Sequence, residues 1–176
     1  MSTKIYGIVR LGTVLGNGMP EKTAANIFIC NALAGKPLTP FKHSMYRPML
    51  FVDIDDVCKA FAIYAKKILN GKKATNENSL YHVVNLYWPK PITILELAAA
   101  VSEVTNKLTH GKIMPKIEIV DKGQPISFEE NDKFKLNART DKILQFLGMT
   151  KMTDPHISLE KLIETAIRKN TLPNSD

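Results

Sequence analysis

Apolar positions along this chain fall into short continuous runs separated by longer stretches with helical spacing. In KIYGIVRLGTVLG a β-rich run, Ile5 to Leu11, breaks at glycines, so a strand is expected to end near Leu11. A loop through Gly16, Asn17, Gly18 and Pro20 is expected to follow. EKTAANIFICNALAGK then places Ala25, Ile29, Ala32 and Leu33 on one helical face. Gly35 stops that helix from the C′ position, with Pro37 just beyond it. PLTPF and MYRPMLFV read as short extended pieces. Asp53 and Asp55 are N-cap candidates for a helix running to Leu69, whose acidic start also suits the helix dipole. Its expected apolar face is Val57, Ala60, Phe61, Tyr64, Ala65 and Ile68, and Gly71 closes it.

SLYHVVNL is a strand, expected to be buried because Val83 and Val84 are adjacent. YWPKP is a turn. Thr93 and Glu96 of TILE form a capping box that opens the helix ILELAAAVSEVTNKL. KIEIVDKG alternates as a strand near residues 116–121, GQPISFEENDKFKLN is a polar loop, and RTDKILQFLGM and SLEKLIETAIRKN are two closing helices. Short strands separated by helices give a mixed α/β class.

Composition leaves this picture standing. At 176 residues the chain is long enough for one domain with a real core, and 44% hydrophobic with 23% charged residues lies in the globular range. Disorder is expected only at the tail KNTLPNSD and the loop NGKKATNENS. The formal charge of +7 raises nucleic acid, an anionic membrane or phosphate-bearing ligands as partners. The lysines are scattered, as at Lys66, Lys67, Lys72, Lys73, Lys133 and Lys135, and make no long block, which favours an ordinary solvated surface. Cys30 and Cys58 lie in apolar helical patterns and are expected as buried free thiols, in keeping with a reducing cytoplasm. MSTKIYGIVRLG has no long apolar segment, so no signal peptide is expected, and no run approaches the ~20 residues of a membrane span.

Candidate chemistry is sparse. His43, His82, His110 and His156 show no metal-ligand spacing, and there is neither a nucleophile elbow nor a Walker loop. Asp53, Asp55 and Asp56 suit either helix capping or a metal, capping being the commoner use. The glycines of GTVLGNG do not have the dinucleotide spacing, and no helix opens at their end. Arg47 is either an ordinary surface or salt-bridged arginine or a guanidinium that clamps a phosphate, with Phe41 nearby as a flat ring for a base.

The order of YGIVRLGTVLGNG, NALAGKPLTPF, YRPMLFVDIDDVCKAF, YHVVNLYWPKPITILELAAAV, KILQFLGM and ISLEKLIETAI resembles the C-terminal half of extended short-chain dehydrogenases, the NAD-dependent nucleotide-sugar epimerase/dehydratase family. The resemblance covers nearly the whole chain. It implies the last strand or strands of a Rossmann-like sheet plus the small mixed α/β substrate-binding domain, with residues 1–18 as the residual Rossmann strand and loop, 1–170 as one substrate-binding portion, and 171–176 as a flexible tail. It implies a nucleotide-sugar ligand, with Arg47 on the diphosphate, Leu38 to Phe41 beside the base, Asn26 near the sugar-nucleotide, and Thr13 where many members carry an asparagine near nicotinamide and sugar. A second phosphate-binding arginine is not evident; Lys122 or Arg139 stands in that region.

The family holds NAD on an N-terminal glycine-rich loop and uses a Ser/Thr with a Tyr-xxx-Lys pair, and this sequence has neither feature. The chain is therefore expected to bind substrate without catalytic residues, metal or a cofactor of its own, as a truncated or split part of an enzyme. The alternative is a non-catalytic nucleotide-sugar-binding or interaction module. Either form is expected to pair with a separate NAD-binding chain or to self-associate, since its first strand belongs inside a larger sheet. Nucleic-acid binding is disfavoured by the scattered lysines and the lack of stacked aromatics.

Overall fold

The computed structural model describes residues 7–69 and 83–171. Two strands open the described chain, β1 (Ile8–Leu11) and β2 (Thr13–Leu15), followed by α1 (Ala24–Leu33). Next come β3 (Pro48–Met49), β4 (Phe51–Asp53) and α2 (Ile54–Leu69). β5 (Val83–Leu86), β6 (Ile92–Thr93) and α3 (Ile94–Leu108) precede a 3-10 helix at Glu130–Lys135, α4 (Asp141–Leu147) and α5 (Pro155–Thr171). β1 runs parallel to β5, β2 parallel to β4, and β3 antiparallel to β6.

The strand expected to end near Leu11 instead continues past Gly12 as β2. The Gly12 amide donates to the Leu86 carbonyl at 2.9 Å, and the next amide, Thr13, donates to the Leu50 carbonyl at 2.7 Å. Successive amides of a strand point to opposite edges, so the chain hands over from β5 to the β4 segment at this residue. A Cβ on Gly12 would lie 2.5 Å from the Leu50 oxygen, which makes glycine a requirement of close approach rather than of a turn.

The β2–β4 ribbon separates two cores. Strand alternation sends Leu15 and Phe51 into one and turns Val14 and Val52 to the other. The first core is closed by α1, α3 and α5 through Phe28, Ile29, Leu97, Val101, Leu159 and Ile163. The second is closed by α2 and the α4 region through Val57, Tyr64, Leu147 and Met152.

Local signals set the helix ends. Thr23 caps α1 by accepting from the Asn26 amide. At its other end Gly35 has φ +67°, and the Gly35 and Lys36 amides donate to the carbonyls of Ala32 and Asn31, the Schellman arrangement. The capping box of Thr93 and Glu96 opens α3 as expected. Asp53 accepts from the Asp55 amide at 2.8 Å and so caps α2. α5 begins three residues earlier than the sequence pattern suggests, at Pro155, a residue suited to a first helical turn.

Three further expectations require correction. Cys30 and Cys58 are exposed, not buried; the core face of α1 runs Ala25, Phe28, Ile29, Ala32, and that of α2 runs Val57, Ala60, Tyr64, leaving both thiols off the stripe. Phe61 is 46% exposed and Ala65 is exposed, because the α2 stripe is narrower than its apolar residues. Residues 116–121 do not form a continuous strand. They meet Leu38–Lys42 in two isolated parallel bridges, Leu38 with Ile117 and Phe41 with Val120. The reason is Pro40, which lacks the N–H that would donate to Glu118 and join the bridges. The expected loop at NGKKATNENS and the helix stop at Gly71 lie outside the described residues.

Candidate functional site

The segment from Leu38 to Arg47 gathers the site. Leu38 and Pro40 point inward and are fully buried, so alternation turns Thr39 and Phe41 outward. The Phe41 ring is 45% exposed. It stacks on the His43 imidazole, with ring centroids 5.7 Å apart and an interplanar angle of 12°. The Lys122 ammonium lies 5.8 Å from the Phe41 centroid, within cation–π range. His43 Nδ1 is buried and has no hydrogen-bond partner among the described residues, while the His43 carbonyl accepts from the Ser127 amide at 2.9 Å.

Lys42 and Asp121 close the neighbouring edge with an ion pair of 2.9 Å. The Lys42 hydrogen bond, then the Gly123 amide and the Lys42 charge, hold the Asp121 carboxyl below the usual carboxylate range. From Phe41 the chain folds through two turns, Ser44 N–H to Phe41 carbonyl at 3.0 Å and Arg47 N–H to Ser44 carbonyl at 2.9 Å. Leu95 ties this loop to the start of α3 by donating to the Met45 carbonyl at 2.9 Å. Arg47 is exposed, and among the described residues no carboxylate pairs with its guanidinium. The segment thus presents a two-ring platform with one cation beside it and an unneutralised guanidinium two turns on.

The other sequence-derived residues lie apart from this platform. Leu38 is in the first core, and its amide and carbonyl are both bonded, to Lys116 and Glu118. Thr13 is half-buried in β2, in register with Phe51. Asn26 stands in the first turn of α1 and lines a cavity of ≈ 460 Å³ between α1 and α5, together with Asn17, Met19, Cys30 and Lys169. Phe41, Arg47 and Thr13 do not line that cavity. His43 is the residue that sequence reasoning treated only as an unpaired histidine. Nothing local in the sequence signals the stack, because the turn closed by the Ser44 amide on the Phe41 carbonyl is what folds His43 back against Phe41.

The three aspartates at the α2 entrance are occupied structurally. Asp53 accepts from the Ser158 hydroxyl at 2.6 Å as well as capping the helix, Asp56 accepts from the Thr153 amide at 2.6 Å, and Asp55 lies 3.5 Å from Lys161. Among the described residues no three His, Cys, Asp or Glu side chains converge on a metal position. The glycines of GTVLGNG do not fit a dinucleotide either. Gly12 is pressed against the Leu50 carbonyl, Gly16 against the Ile54 side chain, and α1 opens only at Ala24. Among the described residues no helix is long and apolar enough to cross a membrane.

No family model and no curated protein matches the chain. Solved structures do. MoeE5 in complex with UDP-glucose and NAD aligns with a TM-score of 0.61 at 19% identity, over 94% of this chain and 48% of that one. The UDP-glucuronic acid 4-epimerase of Bacillus cereus aligns with a TM-score of 0.60 at 21% identity, over 90% and 45%. TunA, an NAD-dependent NDP-hexosamine 5,6-dehydratase, gives 0.62 at 15% identity, over 92% and 46%. The chain spans about half the length of these structures. Its fold is mixed α/β with small parallel strand pairs, and it matches about half of the fold of each of these structures.

Proposed function

We propose that the chain is the nucleotide-sugar-binding portion of an NAD-dependent epimerase or dehydratase, with residues 1–170 forming that portion, 1–18 a remnant of the cofactor sheet and 171–176 a tail. In this reading Phe41, backed by His43, stacks on the base. Arg47 clamps the diphosphate and Lys122 supplies the second cation. Asn26 and Thr13 contact the sugar end, and Leu38 anchors the platform from the core. NAD belongs to the glycine-rich and Tyr-xxx-Lys portion that this sequence lacks, and a cytoplasmic setting goes with the whole. The observation that carries the reading is the exposed Phe41 ring stacked on His43 with Lys122 beside it. Base–aromatic stacking and charge-assisted phosphate contacts are each worth about 1–3 kcal/mol by this kind of truncation.

Calorimetric titration with UDP-glucose is the test. Phe41→Ala and Arg47→Ala are each expected to weaken binding by about tenfold or more, with uridine alone insensitive to Arg47→Ala. Equal affinity in wild type and both variants sinks the assignment.

A second reading, binding without chemistry of its own, is favoured by the missing Tyr-xxx-Lys pair. It expects no NADH formation from any UDP-sugar with NAD. Such a chain would still need a partner for β1, either a separate NAD-binding chain or a second copy. Among the described residues β1 pairs only with β5, and Ile8 and Leu11 are 45% and 41% exposed.

A further inference from the structure

Residues 121–139 contain no buried side chain and belong to neither core. Bonds inside the segment, such as Gly123 amide to Asp121 at 2.8 Å and Glu129 amide to Asp132 at 2.9 Å, shape it without attaching it. Beyond Lys122, two hydrogen-bonded contacts tie it to the rest of the described residues. The Ser127 amide donates to the His43 carbonyl at 2.9 Å, and the Lys133 ammonium donates to the Glu96 carboxylate. Glu96 adjoins Leu95, whose amide donates to the Met45 carbonyl at 2.9 Å. His43, Ser127, Lys133, Glu96, Leu95 and Met45 therefore close a ring. Its two other cross-links are backbone bonds, and the Lys133–Glu96 pair is the one made by side chains. That pair is sheltered, with Lys133 22% and Glu96 44% exposed, so salt screens it less than a fully exposed pair.

A segment with few apolar contacts and exposed backbone bonds opens locally at low cost. We propose that residues 121–135 are a strap that presets the Phe41–His43 platform, and that Lys133 and Glu96 are the positioning residues that latch it. With the latch closed, Ser127 holds the His43 backbone, and the imidazole stays stacked on Phe41 before any ligand arrives. With the latch open, Ser127 is free to lift from His43, and the platform must be ordered at the moment of binding. Ordering in advance raises affinity because that entropy is already lost. The other lysine pairs do not close this ring: Lys107–Glu160 joins α3 to α5, and Lys135–Asp132 lies within the strap. The effect on a nucleotide-sugar rests on the proposed function, whereas the effect on Ser127 and His43 does not.

The experiment is NMR of the full chain without ligand, reading amide exchange at Ser127 and the ring-proton shifts that Phe41 imposes on His43. Lys133→Met is expected to speed Ser127 exchange by about fivefold or more and to move the His43 shifts towards those of an unstacked ring. The Lys42 and Val120 amides, in the ladder before the strap, keep their wild-type rates. Lys133→Arg restores both readouts, and Lys107→Met, which cuts a pair outside the ring, changes neither. An unchanged Ser127 rate, unmoved His43 shifts, or equal acceleration of every amide overturns the proposal, the last because the pair would then stabilise the whole fold alike. UDP-glucose calorimetry reads the consequence: Lys133→Met binds about threefold or more weakly and Lys133→Arg as the wild type does. Wild-type affinity in Lys133→Met overturns the presetting. A wild-type chain that binds no UDP-glucose sinks the nucleotide-sugar reading instead, and the ligand-free spectra still decide whether the latch holds the platform.

Discussion

Asp53 joins two parts of the chain that are 105 residues apart, and removing it tests how the site-bearing loop is supported. Its carboxylate is 4% exposed and serves both as the α2 N-cap and as acceptor for the Ser158 hydroxyl at 2.6 Å, itself 2% exposed. Asp53→Ala removes the cap, worth about 1 kcal/mol. It also strands a buried hydroxyl, which costs about 1–3 kcal/mol. The expected loss is therefore about 2–4 kcal/mol. Ser158→Ala deletes a hydrogen bond to a buried carboxylate and should cost about 1.5–3 kcal/mol. The double variant no longer has a stranded hydroxyl, so its loss should fall short of the sum of the two single losses by about 1 kcal/mol or more. Urea unfolding followed by Trp88 fluorescence gives these values, since Trp88 packs against the second core. A loss below about 0.5 kcal/mol for Asp53→Ala, or strict additivity in the cycle, would refute the linkage, because surface-like substitutions stay within that range.

Glu96 gives a pH dependence. Burial pushes its carboxyl up, but the hydrogen bond and charge of Lys133 and the bonds from Thr93 outweigh burial and hold it below the usual range. A lowered folded value means that its contribution is present above the ordinary glutamate range, about pH 4, and is lost as pH falls through the folded value. Glu96→Gln is expected to flatten that acid limb in thermal melts taken between about pH 6 and 3; an unchanged limb counts against it. Gly12→Ala must displace the Leu50 carbonyl and should cost about 1–3 kcal/mol in the same urea assay, a neutral result arguing against the strand handover. Cys30 and Cys58 should both titrate with a thiol reagent in the folded chain, without denaturant, and a protected thiol would place it back in a core.

Where structure follows from neighbours in sequence, the chain was readable. The Thr93–Glu96 box and the Gly35 stop are local hydrogen-bonding devices, and both ends they mark fall where expected. Where structure follows from distant partners, it was not. Gly12 resembles a loop glycine until Leu50 is brought against it, and only then is it a strand residue. Pro40 looks harmless in PLTPF, yet it breaks a ladder whose other side lies near residue 118. Phe61 is apolar at a plausible helical spacing, but the width of the buried stripe is set by what packs on it. The same division runs through the site. The exposure of Phe41 follows from alternation with Leu38 and Pro40, whereas its contact with Lys122 joins two segments across the fold.

The parallel pairing of β1 and β5 also has a consequence for the time course of synthesis. Ile8 finds its partner only when Val83 has been made, 75 positions later (83 − 8). At roughly 5–20 residues per second that interval is about 4–15 seconds, during which Ile8, Val9 and Leu11 have left the ribosome with no strand to receive them. β2 waits less, because its partner β4 ends at Asp53. The nascent chain therefore passes through a stage in which β2 has its partner and β1 does not. A chaperone holding residues 8–11 through those seconds would raise the folded yield more than one added after release.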